Sequence, residues 1–139
     1  MLKTTARFYS EIRVRYQETD KMGVAYHGNY LTWFEFARVD MLDQLGIPYI
    51  NMEEQGYMLP VIEANARYLL PCYFDDRLKI ETMIKKEPRV KIQVHYNIYR
   101  ADEKVCQGHT VHAFIDQNRK ICKPPEQFSD ALKNLFKDN

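Results

Sequence analysis

Between Tyr16 and Tyr30 the chain reads Tyr-Gln-Glu-Thr-Asp-Lys-Met-Gly-Val-Ala-Tyr-His-Gly-Asn-Tyr. Glu18, Asp20 and His27 share this short polar segment with Gly23 and Gly28. A positioned carboxylate can take a proton from water or attack an acyl carbon itself, and a nearby imidazole can orient the water or carry the proton. Glycine lets the backbone approach a ligand closely. Taken singly, these residues have plainer roles: Asp20 and Gly23 form turns, and His27 caps the helix or sits in solvent. Taken together, with no serine nucleophile and no metal-ligand cluster beside them, they outline a carboxylate-centred site.

Such a site needs firm elements on either side. Upstream, residues 10–17 alternate, with Ile12, Val14 and Tyr16 on one side and Glu11, Arg13 and Arg15 on the other, as in a half-buried strand. Downstream the period lengthens. Leu31, Phe34, Met41 and Leu45 predict a helix from about Asn29 to Leu45 with one apolar face, stopped by Gly46 and Pro48. Its start lies at Gly28 or Asn29, or at Thr32 with Glu35 completing a capping box. The polar segment is therefore a strand-to-helix connection. The first N–H groups of a helix are unpaired and carry the positive end of its dipole, so they bind a phosphate or polarise a carbonyl oxygen.

Residues 47–57 read as a link, and four more strands follow. The first covers 59–70, with Ile62, Ala64, Ala66, Tyr68 and Leu70 on one face; the second runs from Leu78 to about Lys86. The third covers 90–100, where Val90, Ile92, Val94, Tyr96 and Ile98 alternate with polar residues. The fourth, 105–116, alternates less strictly and reads as covered on both faces. Ala101 to Lys104 is a hairpin connection. Residues 125–136 form a short amphipathic helix on Phe128, Leu132, Leu135 and Phe136. This order predicts one α+β domain over the 139 residues, an antiparallel sheet wrapped round a single long helix, the hotdog arrangement.

Composition narrows the partners. The chain is 45% hydrophobic and 28% charged with a net charge of +1, so no global field favours nucleic acid, and an anionic ligand needs a local patch. Lys85-Lys86-Glu-Pro-Arg89-Val-Lys91, between two strands, is either that patch or a charged turn that keeps an edge soluble. Arg119 and Lys120 form a smaller one. No apolar run is long enough to span a bilayer, and the N-terminus lacks the apolar core of a signal peptide. Cys72, Cys106 and Cys122 match no zinc or CxxC pattern and suit a reducing cytoplasm. His95, on the polar face of its strand, and His109 and His112, on opposite faces of theirs, are spaced as structural residues rather than metal ligands. Ten tyrosines suit an aromatic core, a ligand pocket or an oligomer interface, and their apolar body with a polar tip favours the interface.

The pattern Tyr16-x-x-x-Asp20-x-x-Gly23-Val-x-Tyr26-His27-x-Asn-Tyr30, followed by Trp33-Phe-Glu35-x-Ala37-Arg38, resembles the hotdog-fold acyl-CoA thioesterases. The YbgC-like and 4-hydroxybenzoyl-CoA thioesterase families are the most similar branches. The likeness continues through Leu59-Pro60-Val61 and Phe74-Asp75-Asp76-x-Leu78-x-Ile80-Glu81 to the last strand. It implies that Asp20 is the catalytic carboxylate, as general base or nucleophile, with Tyr16 and His27 in support. The backbone N–H groups of Gly28, Asn29 and Tyr30 would polarise the thioester carbonyl. Many relatives carry aspartate where this chain has Glu18, which makes Glu18 a rival carboxylate. Glu35 is another, because a different hotdog branch uses a helix glutamate. Relatives bind nucleotide phosphates with basic residues near the strand turn, which implies Arg89, Lys91 and Lys86 for coenzyme A.

The resemblance further implies hydrolysis of an acyl-CoA without cofactor or metal. It implies dimers that often pair into homotetramers, a site shared between subunits, a cytoplasmic location, no nucleic acid and no membrane insertion. Three other readings stay open: an acyl-carrier-protein thioesterase, a dehydratase of the same fold, and a non-catalytic acyl-thioester binding module. The placing of Asp20 and His27 in one loop weighs against the dehydratase. Acyl preference would be set around Tyr57 to Val61 and along the long helix.

Overall fold

The computed structural model describes residues 5–136. Five strands make one antiparallel sheet: β1 (Ala6–Arg13), β2 (Val61–Tyr68), β3 (Arg77–Ile84), β4 (Lys91–Arg100) and β5 (Glu103–Ala113), in the order β1-β3-β4-β5-β2. The long helix α1 (Asn29–Gln44) lies against one face. Short helices α2 (Tyr49–Glu54) and α3 (Glu126–Leu135) follow α1 and the sheet. The α+β architecture is therefore the expected one.

Alternation explains how the sheet meets α1. Leu78, Ile80 and Ile84 on β3, Ile92, Val94, Tyr96 and Ile98 on β4, and Cys106 on β5 point inward and are buried. From α1, Phe34 stacks on Tyr96 with ring centroids 4.3 Å apart. Phe34 also packs over Gly108, where an added Cβ would lie 2.8 Å from its ring and would collide with the Asn65 carbonyl. Only glycine allows that approach of β5, β2 and α1.

Several expected boundaries shift, each for a local reason. The first strand begins at Ala6 and ends at Arg13, not at Gln17. Val14 is then clipped to the segment before β3, donating to the Asp76 carbonyl and accepting from the Asp75 amide. Tyr16–Glu18 fold into a 3-10 turn because the Glu18 carboxylate accepts the Arg15 N–H at 2.8 Å. Tyr16, expected to point inward, is 75% exposed. The buried face of α1 is Tyr30, Trp33, Phe34, Ala37, Arg38, Met41 and Leu42, so Leu31 is left in solvent. Gly28 is the N-cap, and Thr32 with Glu35 forms no capping box. The supposed link 47–57 contains α2: Pro48, read as a stop, is its N-cap. The strand expected to 116 ends at Ala113. His112 faces the core and His109 the other side, as expected.

Candidate active site

The connection between β1 and α1 is held by a few short links. Asp20 heads a tight turn: its N–H donates to the Val24 carbonyl, and its own carbonyl accepts from Gly23, both at 2.9 Å. Gly23, at φ +82°, takes the left-handed conformation that closes this turn. Asp20 Oδ1 accepts the Met22 N–H at 2.9 Å. Its Oδ2 has no partner among the described residues, and the side chain is half-buried. One carboxylate oxygen thus fixes the geometry and the other is left for chemistry.

Glu18 is used differently. It is 6% exposed and accepts the Trp33 indole N–H at 2.9 Å as well as the Arg15 amide. Burial pushes its carboxyl up, but the bonds from the Arg15 amide, the Trp33 indole and the Arg15 guanidinium outweigh that and hold it below the usual range. Its carbonyl accepts from the Tyr26 N–H and from Asn29 Nδ2. Glu18 therefore staples the loop to α1 with both ends. Glu35 stands exposed on α1, and its side chain has no hydrogen bond among the described residues.

At the start of α1 the backbone donors divide into used and unused. The N–H of Asn29 donates to the Tyr26 carbonyl at 3.0 Å, and that of Tyr30 to the His27 carbonyl at 3.2 Å. The N–H groups of His27 and Gly28 have no acceptor among the described residues. Of the three expected carbonyl-polarising groups, Gly28 keeps an open donor while Asn29 and Tyr30 close the first turn. His27 adds an open N–H that the residue types alone do not signal.

The His27 ring is exposed, with centroid distances of 4.3 Å to Tyr26 and 6.1 Å to Tyr68. Tyr68 also donates its hydroxyl to the His27 carbonyl at 3.1 Å. Sequence reasoning missed this contact, since Tyr68 lies on β2, 41 residues away. His27, Tyr30, Tyr68, Leu69 and Leu70 line a hollow of about 260 Å³ beside the open donors. Burial, and then Cys72, push the Tyr30 hydroxyl above its usual range, so it stays protonated. Tyr16 makes no hydrogen bond to Asp20; its ring packs on Phe74 at 5.5 Å.

The basic residues lie elsewhere. Lys85, Lys86, Arg89 and Lys91 rim a groove of about 870 Å³ that the β3–β4 turn makes with Gln93 and His95 of β4 and Val111 of β5. All four are exposed, and none pairs with an acid among the described residues. Arg13, which leads into the active-site loop, pairs in register with Arg77 at the start of β3, whereas the basic turn follows Ile84 at its end. Seven residues at about 3.4 Å each separate the two by roughly 24 Å. One protomer does not bring the basic turn and the Asp20 loop together.

Among the described residues no helix is long and apolar enough to cross a membrane. Residues 14–132 match the model of the thioesterase-like superfamily. YneP of Bacillus subtilis, named provisionally as an acyl-CoA thioesterase, is 36% identical over 123 residues, covering 88% of this chain and 87% of that protein. The 1,4-dihydroxy-2-naphthoyl-CoA hydrolase of Thermosynechococcus vestitus is 31% identical over 124 residues, covering 87% and 85%. The crystal structure of a DHNA-CoA thioesterase from Staphylococcus aureus superimposes with a TM-score of 0.88 at 34% identity, covering 93% of this chain and 90% of that one.

Proposed function

The chain belongs to the thioesterase-like superfamily, and on that premise we propose that it hydrolyses an acyl-CoA thioester to the free acid and coenzyme A. The observation that carries this reading is the pairing of a carboxylate with one unused oxygen and a helix start with two unused N–H groups, in a single hydrogen-bonded loop. The N–H groups of His27 and Gly28 receive the thioester oxygen as it gains charge. Asp20 removes a proton from the attacking water, or attacks the carbonyl carbon and forms an anhydride that water then opens. Either way the C–S bond breaks and the electron pair leaves with the thiolate, a leaving group that needs little acid assistance. The His27 ring stands beside the open donors to orient water. Tyr16, whose exposed ring packs on Phe74, is left without a direct part in the proton transfer.

Lys86, Arg89 and Lys91 bind the phosphates of coenzyme A. Because β3 puts roughly 24 Å between Arg77, beside the start of the loop, and the basic turn after Ile84, the working site combines the loop of one copy with the basic turn of another, in a homodimer or homotetramer. Cys72, Cys106 and Cys122 are all free thiols, which fits a reducing cytoplasm. The test is thiol release from short, long and aromatic acyl-CoAs by the parent and by Asp20→Asn. Turnover by the parent and its collapse in the variant support the reading. An inert parent that still binds acyl-CoA would make the protein a binding module, and a fully active variant would remove Asp20 from the chemistry.

A further inference from the structure

The side of α1 that faces β2 is unfinished. On β3, β4 and β5 most residues pointing at α1 are buried, with Gly108 partly so, yet on β2 Ala64 is exposed, Ala66 partly so, and Tyr68 is 46% exposed. Trp33 and Asp40 mark the opposite side of α1, where Asp40 accepts from Ser10 of β1 at 2.6 Å. Leu31, Glu35 and Arg38, at i, i+4 and i+7, therefore share the side toward β2. Leu31 and Glu35 are exposed there. These two rows bound a strip of exposed surface, and two rulers give its length. Tyr68 to Ala64 is four strand residues, about 13 Å, and Asn29 to Arg38 is nine helical ones, about 14 Å.

Arg38 ends the strip. It is only 9% exposed, and its Nη1 donates to the Tyr96 hydroxyl at 3.1 Å. That hydroxyl shares a 2.7 Å hydrogen bond with Thr110 Oγ1, which meets His112 Nε2 at 2.8 Å. No carboxylate pairs with Arg38 among the described residues. Burial, and then Arg38 itself, bring the His112 imidazole down to about 4, so it adds no charge. A nearly buried cation whose partner is a neutral phenol is costly and keeps unused donors. Those donors are not sealed: Thr82 Oγ1 and His112 Nδ1 are the fully buried, unpartnered side-chain atoms among the described residues, and no guanidinium nitrogen is.

We propose that Arg38 determines acyl specificity: it receives an oxygen at the far end of the acyl group, a carboxylate or an aryl hydroxyl, through a charge-assisted hydrogen bond. The inference rests on the thioester-hydrolase reading and names the class of acyl group. An Arg built to bind an oxygen rejects the analogue lacking it, because the buried charge then stays unpaired.

The experiment compares matched pairs, octanedioyl-CoA against octanoyl-CoA and 6-hydroxy-2-naphthoyl-CoA against 2-naphthoyl-CoA, in the parent, Arg38→Gln and Arg38→Lys. The ratio of kcat/KM within at least one pair is expected to exceed about tenfold in the parent, to fall at least tenfold in Arg38→Gln, and to recover in part in Arg38→Lys. The pair that shows it identifies the oxygen. Ratios near or below one in both pairs, or an unchanged ratio in Arg38→Gln, overturn the proposal while leaving thioester hydrolysis standing. Should Arg38→Gln fail to fold, the parent's ratios decide. If no thioester is turned over, the hydrolase reading fails, and binding of octanedioate against octanoate, read by thermal shift, still decides the role of Arg38.

Discussion

At the Arg77 end of β3 the neighbouring loop leaves few polar groups idle. The Glu18 carboxylate and carbonyl are both engaged, the Asp20 turn is closed at three points, and Tyr68 ties down the His27 carbonyl. The groups left without a partner among the described residues include one oxygen of Asp20 and the N–H groups of His27 and Gly28. At the Ile84 end, Lys85, Lys86, Arg89 and Lys91 stand in solvent without a partner among the described residues. A transition state is stabilised by dipoles that need not reorganise when charge develops, so that loop is fixed in advance. A phosphate brings its own charge, and long cations can close on it as it arrives, at a cost in side-chain entropy. The contrast ties each end to a different task and to a different kind of mutational effect.

The largest effect is expected from Asp20→Asn. The amide oxygen can keep the bond from the Met22 N–H, so the turn and the melting temperature hold. The general base or nucleophile is lost, and kcat should fall by about 10²- to 10⁴-fold. Stopped-flow thiol release and a thermal melt on the same sample separate the two. A variant that loses stability along with activity would show that the turn, not the free oxygen, matters.

Glu18→Ala inverts that pattern. It strands the buried Trp33 N–H and the Arg15 amide, which should cost about 2–3 kcal/mol of stability, read as a denaturant midpoint shifted at constant slope. The pH dependence has a definite sign. The Glu18 carboxyl is held below its unfolded value, so its contribution is present above that value and is lost as pH falls through the folded one. The parent should therefore lose stability on acidification more steeply than Glu18→Ala does. Equal slopes would mean that Glu18 is not the staple it appears in the loop's hydrogen bonds.

How far this could be read in the sequence depends on range. The α1 period, the strand alternation around Ile80 and Val94, and the clustering of Asp20, His27 and Gly28 are local, and the sequence displays them. The 3-10 turn at Tyr16–Glu18 is closed locally by the Arg15 N–H on the Glu18 carboxylate, but what buries that carboxylate is Trp33, 15 residues on, and strand alternation alone runs through both. The six residues of α2 are too few to show a helical period. Leu31 was placed inward because leucine outranks tyrosine as an apolar marker, whereas Tyr30 buries its ring against Trp33 and Tyr68. The distance between loop and basic turn follows from β3 running between them, and no single segment records it.

The basic turn should give the smallest effect and the one most sensitive to salt. Arg89→Ala is expected to raise KM about three- to tenfold with kcat little changed, because an exposed phosphate contact serves ground state and transition state alike. The defect should shrink as ionic strength rises from 0.01 M to 0.15 M, where screening shortens from about 30 to 8 Å. Combining Arg89→Ala with Lys86→Ala and Lys91→Ala deepens it and prepares the sharper measurement. If the site draws its loop and its turn from different copies, refolding this triple variant together with Asp20→Asn produces mixed assemblies in which some sites have both parts intact. Activity above the sum of the separate variants is then expected at low coenzyme A thioester. Activity equal to that sum would mean that each copy uses its own turn, across a distance that only a large rearrangement of β3 and β4 could close.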